Sequence, residues 1–313
     1  MSARSPRPTL QIALPSLLLL LLGVLWGLGF ALAKVAVNHG VPPLGYVFWQ
    51  AAAGGSIVLV IASILGQRPS GAARYVRYYL LIGLVALAAP NAVGYMVLAR
   101  IPVSVWVLLI NFVPLFTYTV ALLAGYERLQ AVRLSGVAFG LAGVLLLILP
   151  DASLPDRSLV PWVLLGIVTP LFYAVGNVLM ATMRPPAAPS IGLAAGMTLA
   201  AAVWLLPVTL ATGSLYTPDF SALTLGDAAL LGQVLITACG YVIFHEIQRL
   251  AGPVFAGFVG FIVTLSGLFW GMLLFGEQPS AWIFLSLALV LTGMALVNFG
   301  GRLSLRQPAK TED

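Results

Sequence analysis

Apolar stretches of about 20 residues follow one another along nearly the whole chain, each ended by a short polar break rich in Gly and Pro. Ten are legible, at 16–37, 44–65, 76–98, 102–124, 132–149, 161–182, 190–211, 227–248, 253–275 and 280–300. A helix of that length rises through the hydrocarbon of a bilayer. Within lipid each backbone amide must find its partner inside its own segment, so the stretches are predicted to be helices. The breaks include Gly40-Val41-Pro42-Pro43, Gln67 to Gly71, Arg100-Ile101-Pro102, Pro150 to Asp156, Arg184-Pro185-Pro186 and Gly276-Glu277-Gln278-Pro279. The longer loop runs from Thr212 to Gly226. The expected class is an all-α polytopic membrane protein with ten transmembrane helices. Short tails at 1–15 and 301–313 flank two halves at 16–149 and 161–300.

Composition agrees: 61% of the 313 residues are hydrophobic and 8% are charged, too few charges to clothe a soluble core of this size. The net charge of +6 comes from 15 basic residues scattered over short loops, so a nucleic-acid partner is not expected. Their placement instead follows orientation. With the N-terminus inside, Arg4, Arg7, Arg68, Arg74, Arg77, Arg128, Arg133, Arg184, Arg249, Arg302, Arg306 and Lys310 face the cytoplasm. Arg100 and Arg157 fall outside, and Lys34 lies in or beside the first span. Both termini are expected in the cytoplasm. Arg4, Arg7, the run Ser16–Phe30 and Ala31-Leu32-Ala33 also imitate a cleavable signal peptide, but the run is long for one. The lone Cys239 can form no intrachain disulfide.

The halves resemble each other. A shift of 143 places Gly23 on Gly166, Phe30 on Tyr173, Lys34 on Asn177 and Pro42-Pro43 on Pro185-Pro186. A shift of 150 places Glu127 on Glu277 and Gly143 on Gly293. Five spans per half is an odd number, so the second copy enters the membrane upside down relative to the first. Such inverted repeats build a site at mid-membrane that opens to either side in turn.

Several stretches carry a resemblance to a known family: Leu25-Trp26-Gly27-Leu28-Gly29-Phe30-Ala31-Leu32-Ala33-Lys34, Val41-Pro42-Pro43, Asn111 to Phe116 running on to Glu127, Gly136 to Gly143, and Thr264 to Glu277. In order and spacing the chain resembles an EamA-type transporter of the drug/metabolite transporter superfamily. The resemblance implies two inverted five-helix repeats and movement of a small metabolite, such as an amino acid or nucleobase, through a central cavity. It also implies a bacterial inner membrane and favours export. One position departs from the pattern: Gln50 stands where the family commonly carries Arg.

A charge at the centre of a membrane helix costs about 2.5–3.5 kcal/mol, so polar residues at depth are candidates for function. Lys34 either snorkels to the outer interface or faces the cavity as a cation. Asn91, Asn111 and Asn177 are read as interhelical hydrogen bonds or as ligands to a substrate. Pro90, Pro114, Pro170 and Pro207 break helices and free carbonyls that protein or a watery cavity must satisfy. Trp26, Tyr95, Tyr173 and Tyr241 are the aromatic cavity candidates; Tyr95 and Tyr241 each follow a glycine, at Gly94 and Gly240. Glu246, with His245 beside it, is either a gate or proton-coupling carboxylate, or the partner of Arg249 at i+3. Glu127 and Glu277 are expected as solvated caps at span ends. Gly-x3-Gly pairs at 23/27, 136/140, 192/196 and 267/271 are read first as internal packing and second as the seam of a homodimer.

Neither a Walker loop nor a cluster with metal-ligand spacing occurs, so no cofactor and no metal is expected. The expected function is therefore a secondary transporter of a small amino-acid-like or similar polar solute. The rival is a membrane-embedded enzyme acting on a lipid or lipid-linked substrate, for which His245-Glu246 offers a fragment of a site.

Overall fold

In the computed structural model, residues 8–149, 154–186, 188–218, 221–256 and 258–304 are described. Among them the fold is helical throughout: α1 Pro8–Asn38, α2 Pro43–Ile64, α3 Ala73–Leu98, α4 Val103–Leu123, α5 Ala131–Ile148, α6 Arg157–Met183, α7 Ser190–Ala211, α8 Leu225–Ala256, α9 Val259–Phe275 and α10 Ala281–Ser304. All except α9 contain an apolar span of 18 residues or more, and α9 is a shorter apolar helix. Large apolar side chains such as Leu17, Ile64, Leu123 and Leu285 are exposed around the outside, the arrangement expected of a lipid-facing surface. The chain is an integral membrane protein.

The boundaries differ from the sequence reading in two places. Helix α1 starts at Pro8, half-way into the expected tail, because Pro suits a first helical turn, where its missing N–H is no loss. Helix α8 continues through Pro253 to Ala256, so the expected break at 249–252 lies inside a helix. A proline removes one backbone bond without forcing a helix to end, provided neighbours support it. Residues 1–7 and 305–313 lie outside the described residues.

Tertiary contacts carry the internal symmetry. Helix α1 packs on α8 and α9; five helices later, α6 packs on α3 and α4. The α2–α8 contact has its counterpart in α7–α3, while α2–α7, α4–α9 and α5–α10 are each their own counterpart. The same exchange holds at single residues in the α5–α10 pair. A Cβ added at Gly136 would lie 2.7 Å from the Gly293 carbonyl oxygen, so the two backbones touch. The shift of 150 carries that contact onto Ser286 and Gly143, and there the Ser286 hydroxyl donates to the Gly143 carbonyl at 2.7 Å. Most of the other small-residue pairs are likewise internal: Gly23 and Gly27 meet α9, Gly192 meets the α2–α3 loop, and Gly196 meets Tyr79.

Three helices are irregular where they face protein. Helix α3 contains a π-helical turn at Gly83–Ala88, then Pro90, whose carbonyl accepts from the Thr169 hydroxyl at 3.3 Å. Helix α4 breaks at Asn111-Phe112 and restarts with Pro114 in its first turn. Helix α6 has a turn at Ile167, just ahead of Pro170. Between α5 and α6, the Ser158 amide donates to Asp156 at 2.8 Å and holds that exposed carboxyl below the usual carboxylate range.

Gly136→Val forces branched carbons into the α5–α10 backbone contact. It is expected to lower stability by about 1–3 kcal/mol, read as thermal unfolding of the purified protein in detergent. Gly260→Ala meets only the Met294 tip at 3.9 Å and serves as a control expected to change little.

Candidate functional site

A small cavity lies among α2, α3, α7 and α8, two pairs of helices exchanged by the internal symmetry. Val47, Gln50 and Ala51 line it from α2, Leu87 and Asn91 from α3, Thr198, Ala201 and Leu205 from α7, and Thr237 and Tyr241 from α8. The space open to the centre of a water is about 20 Å³, enough for a water or two but not for a metabolite.

Its polar groups fall into neighbouring pairs. The Tyr173 hydroxyl donates to Asn91 Oδ1, which fixes the amide just after Pro90 on the irregular part of α3. The Tyr95 hydroxyl lies beside the Gln50 side chain, and that of Tyr241 beside the Thr198 side chain. Thr198 in turn donates to the Ala194 carbonyl at 2.8 Å. Tyr95, Tyr173 and Tyr241 lie within electrostatic reach of one another. Gln50 Oε1 is buried without a hydrogen-bond partner among the described residues.

Four of the expected site residues therefore converge at or beside the cavity: Asn91, Tyr95, Tyr173 and Tyr241. The others sit elsewhere. Asn111, at the break in α4, donates to the Val107 carbonyl at 2.9 Å and to the Thr264 hydroxyl at 2.5 Å, joining α4 to α9. Asn177 donates to the Thr117 hydroxyl at 3.3 Å, joining α6 to α4. Trp26 packs on Phe244 with ring centroids 5.6 Å apart, and its indole nitrogen borders Gly240. Glu246 receives both Nε and Nη2 of Arg249, at 2.8 and 2.5 Å, towards the far end of α8. Lys34 is not in the cavity lining. It donates to the Ile101 carbonyl and lies 5.9 Å from the centre of the Phe275 ring.

Glu277 corrects an expectation outright. It is no solvated cap of its own turn: Oε1 accepts from the Val103 amide at 2.6 Å and Oε2 from the Ser104 amide at 2.9 Å. Helix α4 begins after Pro102, which has no side-chain acceptor for those amides, so a carboxylate from the α9–α10 loop caps it across the two halves. Glu277 is also within electrostatic reach of Lys34. The α3–α4 turn is thus held at its carbonyl by Lys34 and at its amides by Glu277. The symmetry counterpart Glu127 is exposed and pairs with Arg133 at 3.0 Å.

At the same end of the bundle, an open cleft of about 390 Å³ lies over the cavity, bordered by Val37, Pro43, Leu44, Met96, Ala99, Arg100, Trp162 and Ser214. Along α2 and α3, Tyr46 and Tyr95 lie between cleft and cavity, their rings 5.4 Å apart and both buried. The Arg100 guanidinium stands 5.4 Å from the centre of the Trp162 ring.

One family comparison covers the first half. Residues 14–149 match the EamA-like transporter family. A solved structure described only as "Crystal structure of protein" has a similar fold, with a TM-score of 0.61 over 92% of this chain and 99% of that one. Its sequence identity is 18%, so the likeness is of fold alone. No curated protein matches the chain.

Within this EamA-like frame, sequence reasoning missed Thr198 and Thr237 in the lining, because a Thr in an apolar helix carries no signal of its own. It noted Gln50 only as a departure, yet Gln50 lines the cavity. It also passed over Thr224 and Asp227, spaced as a capping box. The Thr224 amide and hydroxyl donate to Asp227 Oδ2 at 2.9 and 2.6 Å, and the Tyr216 hydroxyl donates to Oδ1 at 2.6 Å. That spacing was readable.

Glu277→Gln keeps the shape but weakens the cap on two buried amides, with an expected loss of about 1–2 kcal/mol in thermal unfolding. Glu127→Gln disturbs a pair whose carboxylate is exposed and should cost less than about 1 kcal/mol. Equal effects from the two would contradict the cross-half cap.

Proposed function

We propose that this protein is a secondary transporter that carries a small polar metabolite out of a bacterial cell by alternating access between its two halves. The observation that carries the reading is the cavity itself: mid-helix, lined by α2 and α7 and by α3 and α8, and bordered by the irregular turn of α3. Irregular backbone at membrane depth is supported where it lines a site that must open.

In this reading the N-terminus and C-terminus lie in the cytoplasm, so Glu277, Lys34 and the cleft face outward. The contact of Glu277 with Val103 and Ser104 holds the outer end of α4 against the α9–α10 loop. Its counterpart Glu127 is in a different environment, which supports a single asymmetric state of a symmetric machine. Rocking of α3–α4 against α8–α9 widens the cavity from a water-sized gap to metabolite size. Tyr46 and Tyr95 separate the site from the outer cleft and must part for release. The Glu246–Arg249 pair is at the opposite end of α8, where it can brace the cytoplasmic mouth.

Purified protein in proteoliposomes is expected to move solutes from a broad metabolite panel. Asn91→Ala is expected to reduce that flux at least about tenfold, and to lower stability in thermal unfolding by about 1–3 kcal/mol because the Tyr173 hydroxyl loses its acceptor. Wild-type protein inert against the whole panel would overturn the reading.

A further inference from the structure

The chemistry of the cavity points to a substrate class, an inference that rests on the transport reading above. Among the described residues, the lining contains no Lys, Arg, Asp, Glu or His. Charges on the surrounding helices and loops are engaged elsewhere: Lys34 with the Ile101 carbonyl, Glu277 with the α4 amides, Arg249 with Glu246, and Asp227 with Thr224 and Tyr216. Arg100 stands in the outer cleft, beyond the Tyr46–Tyr95 pair. The α2 residue that lines the cavity with a polar side chain is Gln50, which is neutral.

The cavity instead offers neutral groups, two of them with uncommitted capacity. Gln50 Oε1 is a buried acceptor without a partner among the described residues. Asn91, half-buried, has its oxygen occupied by Tyr173, so the part of its side chain left to meet a ligand is the amide NH2. Between them they present one acceptor and one donor pair across the α2–α3 side. An unmet buried polar group is unfavourable until a ligand or water satisfies it. A charged ligand placed there would lose its hydration without meeting a counter-charge.

We infer that the transported substrate is a small solute without net or separated charges, carrying a hydrogen-bond donor and an acceptor side by side, as a lactam or primary amide does. Carboxylates, phosphates, ammonium compounds and zwitterions are excluded from the site. The donor of the solute meets Gln50 Oε1 and its acceptor meets the Asn91 amide. The hydroxyls of Thr198, Thr237 and Tyr241 line the opposite wall.

The test is uptake and binding by full-length wild-type protein in proteoliposomes, using matched sets of one apolar skeleton bearing a primary amide, a carboxylate, an amine or an amino-acid head. The amide is expected to bind and be moved at least about a hundredfold better than its charged analogues at neutral pH, the discrimination that an uncompensated charge at membrane depth produces. Gln50→Leu is expected to weaken amide binding about fivefold to tenfold, and Gln50→Arg to admit the carboxylate. Carboxylate or zwitterion transport equal to or better than the amide would overturn the inference while leaving the transporter reading intact. Binding of the amide without flux of any solute would overturn the transporter reading instead.

Discussion

Hydrocarbon offers a peptide group no partner, and the rest of this structure follows from that constraint. Regular helix meets it automatically. Departures from regular helix call for support from another part of the chain, and three described places have it. The Pro90 carbonyl takes the Thr169 hydroxyl, the break at Asn111 is bridged to Thr264, and the amides at the start of α4 take the Glu277 carboxylate. These contacts join different helices, and several join the two halves. The irregular backbone beside the cavity is therefore also where the two halves are tied together.

The internal symmetry sets where such a site can form. Helices that pair with their own counterparts, α2 with α7 and α4 with α9, meet near the symmetry axis, and the cavity opens beside the first of these pairs. The α5–α10 pair is also self-symmetric, but it is closed by backbone contact at Gly136 and Gly293. Under the proposed rocking it is the fixed seam, and α3–α4 moves against α8–α9, where the Glu277 cap acts beside close contacts of Gly267 with Val107. Charge is concentrated at the ends of these helices, and the middle is neutral.

Much of this was legible in the sequence, for physical reasons. Ten apolar runs have a length that only a bilayer explains, and the Pro-Pro turns and paired glycines exposed the repeat. Asn91, Tyr95, Tyr173 and Tyr241 were readable as site candidates because Pro90 and two Gly-Tyr pairs mark places where helices bend or approach. The role of Glu277 was not readable, because the amides it caps lie 173 and 174 residues away in the chain. Lys34 and Asn111 looked like cavity residues because a polar group at depth needs a partner, and sequence alone cannot say whether that partner is a substrate, a carbonyl or a threonine. Pro253 misled in the other direction: it reads as a boundary, yet α8 runs through it.

The claim on which the account turns is that the halves lie in the membrane with opposite orientation. The direct measurement is labelling of single cysteines in intact cells with a membrane-impermeant thiol reagent, in a Cys239→Ser background. His39→Cys and Pro186→Cys place exposed thiols at the counterpart turns after α1 and α6. The account predicts that position 39 reacts from outside and position 186 only after the cells are opened. Reaction of both from the same side would contradict it.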